Sequence, residues 1–359
     1  MLISNLWVTR VLAESVSVSN LYEARVPVSD QSESSREAGF QLGLENVLKR
    51  VTGKASVSTL PEAADIIKQV DSLVSQFNYR DLPESERSNP YQRYFLQVSF
   101  NEKALNGLLR QSGLPIWGAV RPPVLVWMAQ EERGRRDMVS GESILKNGID
   151  AAAKGWGVPV IYPLYDFEDA SALTTSDLWG MFIDPIQQAS QRYGVNTVLA
   201  VRVWPSVRGE GYFNARSLLL FQQQAISADY RDIAAKDLTD KLMTTAASHM
   251  ASYYAVAADG SPGRPVRVAV DGIDTVSDYA SLIQYFDGLT AVRQVIPVRV
   301  RGSQVLLEVT IDGSMEQLSA TIKLDRTLSV VAVAAQPQQP EEEGMVNHWL
   351  VDFDYRWVK

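Results

Sequence analysis

Three carboxylates stand together at Asp166, Glu168 and Asp169, just after the apolar run 158–164. Open α/β sheets gather ligands past the ends of their strands, and hard cations such as Mg²⁺ favour carboxylate oxygens. The same residue types also make loops and cap helices. No glycine-rich phosphate cradle accompanies them, so both readings stand: a divalent-metal site, or a structural turn. Arg133, Arg135 and Arg136 form a second cluster, but Glu131, Glu132 and Asp137 nearly cancel them, and a solvated loop is the reading there. The chain has two histidines, His249 and His348, and no cysteine. Disulfides, thiolate metal sites and cysteine nucleophiles are therefore excluded, and a lone histidine has no partner to make it a base or a ligand. No cofactor is expected.

At the other extreme of the sequence, Trp349, Phe353, Tyr355 and Trp357 alternate within 346–359. Such a strip either packs back on a domain or offers an aromatic docking surface to a partner.

Several kinds of element must position these residues. The 359 residues are 46% hydrophobic and 21% charged, enough to bury more than one core. A net charge of −8 argues against nucleic acid as a partner. No apolar run reaches membrane-spanning length. Val11, Leu12 and Ala13 before Glu14 resemble the end of a secretory signal, which would make Met1 a late start; the other reading is an ordinary N-terminus.

The expected fold class is mixed α/β and α+β, with three consecutive small sheet-plus-helix domains. The first, 14–115, opens on the alternating strand 20–28. Ser34 and Glu37 have capping-box spacing ahead of a helix carrying Phe40, Leu44, Val47, Leu48 and Val51. A helix over 61–75, a charged loop over 81–90, a strand over 91–100 and a short helix capped by Asn101 complete it. The second, 120–258, alternates strand and helix: 124–129, then a helix striped by Leu145, Ile149, Ala152 and Trp156, then 158–164, a helix through Ile183 and Ile186, and 197–204. A hairpin and a long helix from Leu238 to Tyr253 follow. Continuous apolar runs such as VLVWMA are those of strands buried on both faces. The turn-rich stretch 260–263 closes this domain. The third, 264–335, reads β-α-β-β-α-β, the ferredoxin-like order. QPQQPEEEG makes 336–345 a linker, and 346–359 one more strand.

LYEARVPVSDQS at 21–32, LENVLKRVTG at 44–53, RPPVLVWMA at 121–129, GVPVIYPLYDFED at 157–169, DLWG at 177–180 and ASQRYGVNTVLAVRV at 189–203 resemble the domain-of-unknown-function family 2066. The resemblance implies a bacterial protein made with a signal peptide and sent to the periplasm. It carries over no catalytic residue. The layout of the second domain is also similar to α/β domains of envelope accessory proteins, an analogy of fold alone.

The expectation is a non-enzymatic cell-envelope accessory protein that acts through contact with another envelope protein. The alternative is a divalent-metal-dependent enzyme or small-ligand binder built on Asp166, Glu168 and Asp169. If Met1 is the true start, the protein is cytoplasmic.

Overall fold

The computed structural model describes residues 16–87, 89–257, 263–325, 327–331 and 351–358. The signal-like residues 11–14, most of the 260–263 turn, the 336–345 linker, His348 and Trp349 lie outside them. The fold is mixed α/β, with several sheets each accompanied by helices.

In chain order the elements begin β1 (Val16–Ser17), β2 (Glu23–Val28), α1 (Glu33–Thr52), α2 (Pro61–Ile67), α3 (Val70–Leu73), β3 (Val74–Asp81), β4 (Tyr94–Phe100) and α4 (Glu102–Gln111). They continue with β5 (Val120–Arg121), β6 (Val124–Glu132), β7 (Arg135–Met138), α5 (Ile144–Trp156), β8 (Val160–Ile161), α6 (Phe167–Ala172), α7 (Thr175–Gly180) and α8 (Ile183–Ser190). Then come β9 (Thr197–Pro205), β10 (Tyr212–Phe221), β11 (Gln224–Ala234) and α9 (Ala235–Tyr254). The remainder is β12 (Arg264–Asp271), α10 (Val276–Gly288), β13 (Val292–Arg301), β14 (Gln304–Ile311), α11 (Met315–Asp325), β15 (Leu328–Val330) and β16 (Phe353–Trp357).

The chain forms two compact units, and it passes between them more than once. One holds residues up to 23, 45–57 and 119–252; the other holds 24–44, 58–118 and the rest from 253.

The first unit is built on a sheet ordered β11-β10-β9-β6-β7, with β8 also on β6. β6 and β9 run parallel, Val124 beside Thr197 through Gln130 beside Val203. β6 is buried through 124–129 and β9 through 197–201 because both faces are covered there. On one face Leu125, Trp127, Ala129, Val198, Ala200, Leu218 and Leu220 pack with Leu173, with residues of α7 and α8, and with Tyr193. α5 and α9 approach closely at Gly148, where a Cβ would stand 2.7 Å from Thr239 Oγ1. The stretch 131–137 is not a loop. β6 continues to Glu132, turns at Arg133 and Gly134, both with positive φ, and returns as β7. The strand expected over 158–164 shrinks to Val160–Ile161, between Pro159 and Pro163.

Arg121 ties this unit together from a fully buried position. Its guanidinium donates to the carbonyls of Trp156 (2.7 Å), Gly157 (3.2 Å) and Arg50 (3.0 Å). Those carbonyls belong to the C-terminal turns of α5 and α1. Arg50 in turn donates to the carbonyls of Asn20 (2.9 Å), Glu23 (3.0 Å) and Gly155 (3.3 Å). Burial first, then the neighbouring Arg50 charge, pushes Arg121 down to about 9, so it remains a cation at neutral pH.

The second unit contains two sheets. In the first, ordered β2-β4-β3, Gly39 and Gly43 of α1 let the helix lie close on β4; a Cβ would meet Leu96 at 2.6 Å and Val98 at 2.9 Å. The cap of α1 differs from the Ser34–Glu37 box. The helix starts earlier, Ser32 Oγ accepts from Ser35 N–H, and Asp30 in turn accepts from Ser32. The helix expected over 61–75 ends at Leu73, and β3 follows it. Its polar, exposed sequence VSQFNYRD hides a strand that pairs only at the sheet edge.

The second sheet has ferredoxin-like connectivity, β12-α10-β13-β14-α11-β15. Its order is β13-β14-β12-β16-β15. β16 is inserted between β12 and β15, parallel to β12 and antiparallel to β15. The aromatic strip is thus an interior strand. Tyr355 is 1% exposed within the core of Val268, Val270, Leu307 and Phe286, while Phe353 and Trp357 pack at its margin. Among the described residues, no helix is long and apolar enough to cross a membrane.

Candidate functional site

The carboxylates singled out in the sequence meet around one arginine. Asp166 is the N-cap of α6 and accepts from Asp169 N–H at 3.0 Å. Arg192, in the turn after α8, places its two Nη atoms 2.6 Å from the two oxygens of Asp166. Its Nη1 also lies 2.9 Å from Asp169 Oδ1, and its Nε 3.5 Å from Glu168. Asp169 is 2% exposed. Its second oxygen accepts from the Tyr193 hydroxyl (2.6 Å) and from Tyr165 N–H (2.8 Å). Every oxygen of Asp169 is therefore engaged, as a buried carboxylate requires. The centre that a metal ion would take holds the Arg192 guanidinium. Among the described residues, no group of three His, Asp or Glu side chains is set to hold a metal ion.

The Arg192 hydrogen bond, followed by the Asp169 N–H, holds Asp166 well below the usual carboxylate range. A carboxylate held low adds stability that is complete above its unfolded value, about 3.9, and is lost as pH falls below it. Asp166→Asn should therefore flatten the acid limb of urea stability measured between about pH 4 and pH 2. An unchanged limb in the variant would show that the pair with Arg192 contributes nothing.

Trp127 lies behind this cluster. Its Nε1–H donates to Ser190 Oγ at 3.0 Å, and its ring meets Tyr165 and Tyr193 edge-on. A cavity of ≈ 400 Å³ opens beside it, lined by Trp127, Met138, Tyr165, Leu173 and Thr174 among others. Burial raises the Tyr165 hydroxyl to about 12, so it stays protonated.

A different group on the same sheet face is not neutralised. Arg202 of β9 stands directly opposite Arg216 of β10. Like charges facing each other across strands are destabilising. Arg202 donates to the Trp179 carbonyl at the end of α7. Its Nε is buried and has no hydrogen-bond partner among the described residues, and no carboxylate there lies within 4.0 Å of its guanidinium. Arg216 has Asp229 at 3.8 Å, a long and exposed pair of small worth. The Arg202 guanidinium sits 5.8 Å from the ring centres of both Trp179 and Trp204, and Arg136 lies 4.3 Å over Trp179. Burial first, then the Arg216 charge, lowers the Arg202 pKa. The two arginines line a recess of ≈ 370 Å³ with Gly180, Met181, Ile183, Leu218, Ala225 and Ser227.

Residues 15–118 match the family model described as Domain of unknown function (DUF8605). That is a different family from domain-of-unknown-function family 2066, so the resemblance drawn from the motifs is corrected, and its implication of export falls with it. The matched segment carries the three-stranded sheet and α4, and stops before the recess. No curated protein matches the chain.

The structure thus brings Asp166, Glu168 and Asp169 together, as the sequence places them, and supplies the Arg192 that spacing concealed. Phe353, Tyr355 and Trp357 line up within the ferredoxin-like sheet. Arg136, set aside with the solvated loop, both pairs with Glu131 at 2.9 Å and covers Trp179. Arg202 and Arg216 were missed. One signal was available: Arg202 interrupts TVLAVRVW, the apolar run of a fully buried strand.

Proposed function

We propose that this protein is a non-catalytic binding protein that grips another protein through an acidic group, and that it does so in the cell envelope. The observation that carries the reading is the Arg202–Arg216 pair, two cations held side by side in an open recess with one weak counter-charge. Such an arrangement costs stability unless something negative shares it. By contrast, the residues best suited to chemistry are closed on themselves. Asp166, Glu168 and Asp169 converge on Arg192. Asp312 is held by Arg110 and Arg293. The envelope assignment rests on Val11, Leu12 and Ala13 ahead of Glu14.

The test is native isolation from fractionated cells, with sequencing of the mature N-terminus. The expected result is a periplasmic protein beginning near Glu14 and recovered with a stoichiometric partner, which the R202Q/R216Q variant fails to retain. Repeated recovery of the protein alone, by gentle crosslinking as well as by affinity, would defeat the binding reading. An intact Met1 in the cytosol would defeat the envelope part only.

A further inference from the structure

Resting on that reading, we infer that the partner presents an extended acidic segment, which pairs along the free edge of β11 and sends a carboxylate over Ala225 and Ser227 to Arg216 and Arg202. Three observations combine. First, among the described residues β11 is the last strand of its sheet and pairs only with β10, so there the outward backbone N–H and C=O groups of one edge are open to an added strand. Second, the side of β11 that faces the recess is low. Ala225 and Ser227 line it, and both are exposed. A side chain from an added strand would pass over them beside Asp229, which stands opposite Arg216. Third, the recess beyond is cationic. Arg202 and Arg216 both line it and stand opposite each other, and a carboxylate entering it completes a charge-assisted hydrogen bond.

The chemistry favours an acidic foreign segment over a second copy of this chain. On the recess side β11 bears Ala225, Ser227, Asp229 and Arg231. A second β11 would bring one arginine for each aspartate and leave the charge of the pair unmet. The apolar wall of Met181, Ile183 and Leu218 suits the methylenes of a glutamate better than a fully hydrated ion.

The test uses the full chain and four probes: a short acetylated peptide alternating glutamate with valine and threonine, its glutamine counterpart, the glutamate peptide N-methylated at alternate backbone nitrogens, and inorganic phosphate. Binding is read by calorimetry and by tryptophan fluorescence, since Trp179 and Trp204 flank Arg202. The glutamate peptide should bind with a change in that fluorescence. The glutamine peptide should bind about tenfold more weakly, the scale of one charge-assisted hydrogen bond. N-methylation should abolish binding, and R216Q should erase the preference for glutamate. R202Q should do the same; if it unfolds the chain, R216Q carries the test, because Arg216 is partly exposed.

Equal affinity for the glutamate and glutamine peptides would overturn the inference. So would undiminished binding of the N-methylated peptide, or phosphate displacing the peptide at equal concentration, which would mark a simple anion site. Self-association in sedimentation without peptide binding would assign the edge to a second copy. If the peptides fail while the cellular partner is retained by the wild type and lost by R202Q/R216Q, the binding reading stands and this inference alone falls.

Discussion

Arg121→Met should lower the unfolding free energy of the first unit by about 3 kcal/mol or more, an effect far larger than its single position suggests. The guanidinium is fully buried and donates to the Trp156, Gly157 and Arg50 carbonyls. The carbonyls it meets end α5 and α1, and each helix C-terminus is equivalent to about half a negative charge. Methionine fills much of the volume and donates nothing, so three carbonyls in a dry site lose their partner, each at about 1–3 kcal/mol before relaxation. Arg121→Lys should recover only part of the loss, because one ammonium cannot reproduce a planar fork across two helices. Arg135→Met, at an exposed hairpin position, is the control and should stay within about 0.5 kcal/mol. Urea melts of the three variants decide the matter. A wild-type midpoint for Arg121→Met would mean that water can satisfy those carbonyls and that the buried fork is dispensable.

Removing β16 should be the other severe change. Without residues 351–358, β12 loses its parallel neighbour and β15 the one strand partner it has among the described residues. Tyr355 leaves a core in which it is 1% exposed. Tyr355→Ala alone should cost about 3 kcal/mol by deletion of a buried ring. The truncated chain should lose amide protection along β12 in hydrogen exchange, and a synthetic 351–358 peptide should restore it. Protection of β12 that survives truncation unchanged would show that β15 can close the sheet by itself.

Much of this architecture was legible because it is local. Continuous apolar runs announced β6 and β9, and strict alternation announced β12 and β4. The element order of 264–331 announced the ferredoxin-like half. The failures share a physical cause. β3 is polar because it lies on an edge, so no pattern of burial marks it. α6 and α7 are single short turns whose caps, Asp166 and Thr174, look like loop residues until their acceptors are seen. The acidic trio was found, but its meaning depends on Arg192, which is supplied from beyond another helix. Arg202 and Arg216 oppose each other only because a hairpin register puts them there. β16 reads as a strand, yet nothing in its own residues says that it belongs inside a sheet made much earlier in the chain.

That last placement governs how the protein is made. Asp352 accepts from the backbone of Arg267, 85 residues upstream. At a synthesis rate of about 5–20 residues per second, β12 waits on the order of 4–17 s on the ribosome side of assembly before its neighbour exists. β15 precedes β16 in the chain, and a plain ferredoxin-like order would seat it directly on β12. The nascent chain therefore passes a point at which a simpler sheet is available and must be kept from closing, or reopened. The native order thus depends on a non-local pairing, β16 on β12, which is slow to form compared with local contacts.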